Sequence, residues 1–266
     1  MFNVYSIENQ NFYLNDSLLS GIKSFNVGVD FKISPKISIN DSINYTKNGL
    51  PIAVFDLSYV LSDSDRFLQY TGLGSFSGKV EYGDKYVTFR DGYLTNYSLN
   101  YRLGEYPTVD IKGVIFNWPV SQISFTPKPV NLNTFNVGDP CFIDTNIPIF
   151  SNNRVQSFGI NIDVSRIPNY TIGNYLPDNV YIQYPIKQEL STDASASNAL
   201  FISNTSNLPN SGYISPTSQY ISIKKYQSDS NLATFNFSHV TSNINSSLSS
   251  DNEAQYNQTR TSYLQP

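Results

Sequence analysis

Ser24-Phe25-Asn26-Val27-Gly28-Val29-Asp30-Phe31-Lys32-Ile33-Ser34-Pro35 decides the fold class. From Phe25 to Ile33 the odd positions are apolar and most even ones polar. A period of two puts alternate side chains on opposite faces, so this stretch reads as a β-strand with one face on a core and one in water. The proline that follows reads as a corner.

The same pattern recurs later in the chain. Ser157-Phe158 aligns with Ser24-Phe25; Ile160 and Ile162 then fall on Val27 and Val29, and Asp163 falls on Asp30. Val164 meets Phe31, Pro168 meets Pro35, Tyr170 meets Ile37 and Ile172 meets Ile39, all without a gap. With one deletion, Pro185-Ile186 falls on Pro51-Ile52, and Leu190 lies near Leu57. Alternation is common to all strands; the Ser-Phe, Asp and Pro at fixed spacing are what indicate a duplicated strand–turn–strand unit. Two such units in one chain can take quasi-equivalent places in a ring. Three chains then give a pseudo-sixfold ring whose strand edges meet neighbours.

Outward from the repeat, Pro51–Leu61 opens with a dense apolar run, Ile52-Ala53-Val54-Phe55, which suits a strand covered on both faces at its start. Gly78–Phe89 reads as a hairpin turning at Gly83-Asp84. Leu94–Leu103 and Thr108–Phe116 read as another, with Pro107 at the corner. Further strands are expected at Gln122–Phe125, from Ser157, at Val180–Leu190, at Tyr220–Tyr226 and at Ala233–Val240. The expected fold is all-β: two related sandwich- or barrel-like units with long loops and a flexible polar C-terminal tail. The expected divisions are a first β unit at 1–120, a proline-rich connection at 121–152, a second β unit at 153–240 and a polar tail at 241–266. Ser191–Ser218, rich in Ser, Asn and Pro, reads as a long loop.

Composition agrees with this reading. The 266 residues include 20 Tyr and 17 Phe, with only 14% charged residues, a mixture that favours strands and polar turns. A net charge of -4 without a Lys/Arg cluster argues against a surface that grips phosphates. The single cysteine, Cys141, makes the fold independent of an oxidising compartment. No signal peptide or apolar span of bilayer length is evident, so a soluble chain made in a cytoplasm is expected, without membrane insertion.

Chemical equipment is sparse. A catalytic triad would have to use the one histidine, His239, which sits on an alternating strand and reads as a strand residue. Cys141 and His239 are too few for a zinc site. Ser62-Asp63-Ser64-Asp65 lacks the Gly and distal Glu of a calcium loop; it reads as a polar turn or a cap before Arg66-Phe67-Leu68. Asp56, Asp110 and Asp163 lie on expected strands, and carboxylate-pair hydrolysis would need two of them to converge. Gly72-Leu73-Gly74-Ser75-Phe76-Ser77-Gly78 lacks the Lys-Ser/Thr of a phosphate loop and reads as a flexible loop. Trp118, before Pro119, reads as a core or interface anchor rather than a sugar platform. No catalytic, cofactor or metal residue is assigned.

Several segments resemble tail proteins of long-tailed bacteriophages, the tail-tube type above all. They are Gly21-Ile22-Lys23-Ser24-Phe25, the Pro51–Leu61 strand, Gly92-Tyr93-Leu94-Thr95-Asn96-Tyr97-Ser98, Gly104-Glu105-Tyr106-Pro107-Thr108-Val109, and Ile160–Leu190 in the second half. The resemblance covers about half the chain and includes no catalytic signature. It implies β domains that join through strands into rings, rings stacked as a tube around a tape-measure protein, and DNA passing without specific binding. The expected partners are thus copies of the chain, the tape measure and tip proteins, with the virion as the location. A duplicated unit is also a feature of trimeric hubs at the tail tip or baseplate; such a hub, or a distal tail protein, is the first alternative. A β-sandwich receptor- or glycan-binding module is the second, and a carboxylate glycan hydrolase the third.

Overall fold

The computed structural model describes residues 10–30, 33–37, 43–47, 52–72, 74–82, 85–116, 120–123, 141–147, 150, 154–174, 176–196, 214–215, 218–225, 230–238, 240–248 and 254–264. Strands dominate these residues, and all pairings are antiparallel. In chain order they are β1 (Gln10–Leu14), β2 (Ser17–Leu19), β3 (Ile22–Asp30), β4 (Ile33–Ile37), β5 (Ile43–Lys47), β6 (Ile52–Val60), β7 (Phe76–Tyr82), β8 (Lys85–Arg102) and β9 (Thr108–Ile115). Then come β10 (Val120–Ile123), β11 (Cys141–Thr145), β12 (Arg154–Asn169), β13 (Asn179–Ala196), β14 (Ile214–Ser215), β15 (Gln219–Lys225), β16 (Asn231–Phe237), β17 (Val240–Leu248) and β18 (Ala254–Leu264). A 3-10 turn spans Leu68–Thr71. No helix among the described residues is long and apolar enough to cross a membrane.

One large sheet runs β3-β6-β9-β8-β12-β13-β18-β17-β14, with β8 as its branch point. β8 is 18 residues long and serves two sets of neighbours. Gly92 pairs with both Phe76 on β7 and Ile115 on β9, and Asn100 pairs with both Thr108 on β9 and Gly159 on β12. β7 and β12 therefore share one edge of β8 in succession, while β10 and β9 share the other. β1 and β2 extend the sheet beyond β7.

Alternation places Phe55, Leu57 and Tyr59 of β6 on the buried face, with Tyr97 and Leu99 of β8 and Ile160 and Ile162 of β12. The Phe12 ring on β1 lies 5.4 Å from that of Phe25 on β3, although five pairings separate these strands along the sheet. The sheet thus curls over itself, and Phe12, Phe25, Phe55, Phe67, Phe76 and Phe89 fill the fold. Tilted and edge-to-face ring contacts of this kind contribute about 0.5–1.5 kcal/mol each beyond their buried area. A second sheet, β11-β15-β16, covers the other half of the buried face: the Phe235 ring is 6.0 Å from Tyr97, and the Tyr101 hydroxyl donates to the Cys141 carbonyl at 3.3 Å.

Several expectations need correction. The polar stretch 241–266 is no free tail: β17 and β18 lie in it, and β18 pairs with β13 from Ala254↔Ala196 to Leu264↔Ile186. Its polar composition misled because β13 offers it an open edge, and backbone pairing does not need apolar side chains. β13 likewise runs to Ala196, into the expected loop at 191–218; residues 197–213 of that loop lie outside the described residues. Within the expected connection 121–152, β10 pairs with β8 and β11 joins the second sheet. Val54 is 45% exposed, so the start of β6 is covered on one face only. Gly78 belongs to β7, not to a loop: a Cβ there would come within 2.1 Å of the Phe89 ring. Pro35 and Pro168 sit inside β4 and β12 rather than at corners. Both lie in two-stranded segments with one edge unpaired among the described residues, where a missing N–H costs no ladder bond. The Gly83-Asp84 turn, Trp118 and His239 lie outside the described residues.

Candidate assembly interface

The ladder registers bear directly on the repeat. Across the first half, one row reads Phe25↔Leu57↔Ile111↔Tyr97, through β3, β6, β9 and β8. Across the second, Phe158↔Thr192↔Gln258↔Ile244 runs through β12, β13, β18 and β17. In each, the first two strands form a hairpin, and the fourth turns back through a hairpin into the third. The offset from Tyr97 to Ile244 equals that from Ile111 to Gln258, so the two closing hairpins match in length. Only the alignment of Phe25 with Phe158 gives this agreement, and it is the alignment read from the sequence. The Pro51-Ile52 match is one residue out, since Leu57 corresponds to Thr192 by ladder position rather than to Ser191. Burial differs at Val27, which is 38% exposed, whereas its counterpart Ile160 is buried.

The two four-strand units are joined side by side where β8 meets β12, from Arg102↔Ser157 to Asn96↔Asp163. On the outer face of this junction, Asn96 Nδ2 donates to Asp163 Oδ1 at 2.6 Å and to Asn161 Oδ1 at 2.9 Å. Asn161 Nδ2 donates to Asp163 Oδ2 at 3.1 Å. The outer edge of β3 is unpaired among the described residues, as is that of β17 beyond Thr241.

Each repeat also carries a projecting arm. β4 and β5 extend the β3–β6 hairpin, and the distal parts of β12 and β13 extend theirs. In the second arm Ile167 and Tyr181 face each other across the ladder, about half exposed, and Ile172 at the tip is fully exposed. Arg166 ties the arm back to the first unit: its guanidinium donates to the Leu94 carbonyl at 3.0 Å and the Tyr70 carbonyl at 2.7 Å. Exposed apolar residues gathered on one element mark a contact surface more often than isolated ones do.

Among the described residues, the strand carboxylates are spread over the outer face. Asp56 and Asp163 share one outer row but are separated by Lys112 and Asn96, three strand spacings or roughly 14 Å. Asp110 lies one row away, opposite Ser58 and Ser98. Asp56 and Asp110 are diagonal neighbours on adjacent strands, but their open face holds Lys112 directly opposite Asp56. Among the described residues no group of three or more His, Cys, Asp or Glu is placed to hold a metal. Cys141 is half-buried, opposite Lys225.

The Ser62–Asp65 cluster divides in two. Asp63 is exposed and pairs with Lys225 at 3.3 Å. Asp65 turns inward and accepts from the Phe67 and Leu68 amides at 2.8 and 3.3 Å, opening the 3-10 turn as a cap does. It also accepts from the Tyr59 hydroxyl at 2.8 Å and from the Tyr97 hydroxyl. Burial pushes the Asp65 carboxyl above its ordinary range, and the four hydrogen bonds pull against that rise. Burial and the Asp65 carboxylate together hold both phenols well above theirs. Sequence reasoning found the cap but missed the tyrosines; their inward strand parity was the available signal. This cluster fastens β6, β8 and the 3-10 turn together.

No protein-family model matches this chain, and comparison with curated proteins finds no match.

Proposed function

We propose that this chain is a virion structural protein, a phage tail-tube subunit that assembles with its own copies into rings around a DNA channel. The observation that carries the reading is the tandem repeat within one continuous sheet, ending on two sheet edges that are open among the described residues. An open edge is a template for another strand, and a chain with one at each end is suited to joining its own kind. The apolar arm supplies further contact surface. The outer rows mix Asp, Lys, Asn and Ser, a surface past which DNA can move without being gripped. On this reading the partners include the tape-measure and tip proteins.

The duplication within one chain favours a second reading, a tail-tip or baseplate hub in which three chains present six repeats. The purified chain, concentrated and imaged by negative-stain electron microscopy with mass measured by light scattering, tests both. Stacked rings support the tube, single trimeric rings support the hub, and a monomer at high concentration removes both.

A further inference from the structure

The chain contains a copy of a contact that its outer edges are built to repeat. β17 holds the place in the second unit that β8 holds in the first. The start of β8's edge is covered by β7 and the rest takes β12. The start of β17's edge is covered by β14, at Val240 and Thr241, and the rest is unpaired among the described residues. β3 in turn is the counterpart of β12, and its outer edge is the one that β12 gives to β8. We infer that β17 of one copy pairs antiparallel with β3 of the next, repeating the β8–β12 junction head to tail; this rests on the reading of the chain as a self-assembling subunit.

The register follows from the ladders. Asn96 corresponds to Asn243, because the rows Asn26↔Asp56↔Lys112↔Asn96 and Gly159↔Ser191↔Thr259↔Asn243 occupy matching places. Asp163 corresponds to Asp30. The pairing Asn96↔Asp163 inside the chain therefore becomes Asn243↔Asp30 between chains. The next rows put Ile244 opposite Val29, Asn245 opposite Gly28 and Ser247 opposite Asn26. The Asp belongs to the alignment itself, but the Asn at position 243 was not used to derive the register, so its recurrence opposite Asp30 is added support. A contact between different patches of successive copies is heterologous, and it closes into a ring or runs on as a filament according to the rotation it imposes.

Cross-linking tests the register. In a Cys141→Ser background, one chain carries Asp30→Cys and another Asn243→Cys; the two are mixed and treated with a short bis-maleimide. Paired Cα atoms in an antiparallel ladder lie about 4.5–5.5 Å apart, within its reach. The control mixes Asn26→Cys with Asn243→Cys, four residues out of register and roughly 13 Å further along. The expected result is a covalent dimer from the matched mixture, and none from the control or from either chain alone. Rings or other assemblies that form without the matched cross-link overturn this edge pairing while leaving the assembly reading in place. Light scattering of the Cys141→Ser parent showing only monomer overturns both. Circular dichroism and melting of each variant against that parent separate misfolding from failed contact, and Gly28→Cys with Asn245→Cys gives a second matched pair where a Cβ meets nothing nearer than 3.8 Å.

Discussion

At the scale of single residues, Asp65 is the most constrained polar group described. Its folded pKa lies above the unfolded value of 3.8, so the folded state holds the proton more tightly. Its stabilising contribution is complete below 3.8 and is lost as pH rises through the folded value. Melting temperature is accordingly expected to carry a component that falls with rising pH across that window, and Asp65→Asn should flatten it; calorimetry at a series of pH values checks this. Asp65→Ala removes the acceptor of two buried phenols and of two amides, and is expected to cost about 2–4 kcal/mol in urea unfolding. Local sequence revealed that Asp65 starts a turn, because capping depends on adjacent residues. It could not reveal Tyr59 and Tyr97, which reach Asp65 from strands separated by β9.

At the scale of elements, strand period was informative wherever one face is buried, as in β3, β8, β9 and β12. It failed at β17 and β18, whose largely polar sequences carry little apolar alternation; in β18 the inward positions Arg260 and Ser262 are themselves polar. The β1–β2 hairpin was missed although Asn15-Asp16 has the residue types that accept positive φ, and both adopt it, at 45° and 65°. The dense run at Ile52–Phe55 misled because Val54 lies between Gly28 and Val114 on a face with no layer over it among the described residues. The second arm makes its own prediction. Ile167→Ser with Tyr181→Ser changes exposed positions, so unfolding free energy should shift by no more than about 0.5 kcal/mol per substitution. On the assembly reading, the concentration needed for ring formation should rise, as read by light scattering.

At the scale of the molecule, the two halves are not separable domains, because β8 closes the first unit and also opens the second by pairing with β12. Removing residues 249–266 would strip β18 from β13 and β17, so the truncated chain is expected to lose its cooperative melt rather than shed a loose tail. Hydrogen exchange on the intact chain should show the 254–264 amides among its slow class. The repeat was legible because Ser24–Ile39 and Ser157–Ile172 match without a gap; its side-by-side arrangement was not, since nothing local states which edges meet. The internal junction also bears on how fast a ring can form. One of every two repeat-to-repeat contacts is made as the chain folds, at the high effective concentration of a tether and without any dependence on how much protein is present. On the assembly reading, a six-repeat ring then needs two encounters in solution and one closure where single-repeat subunits would need five and one closure, so closed rings should appear at lower expression and with fewer stalled partial arcs.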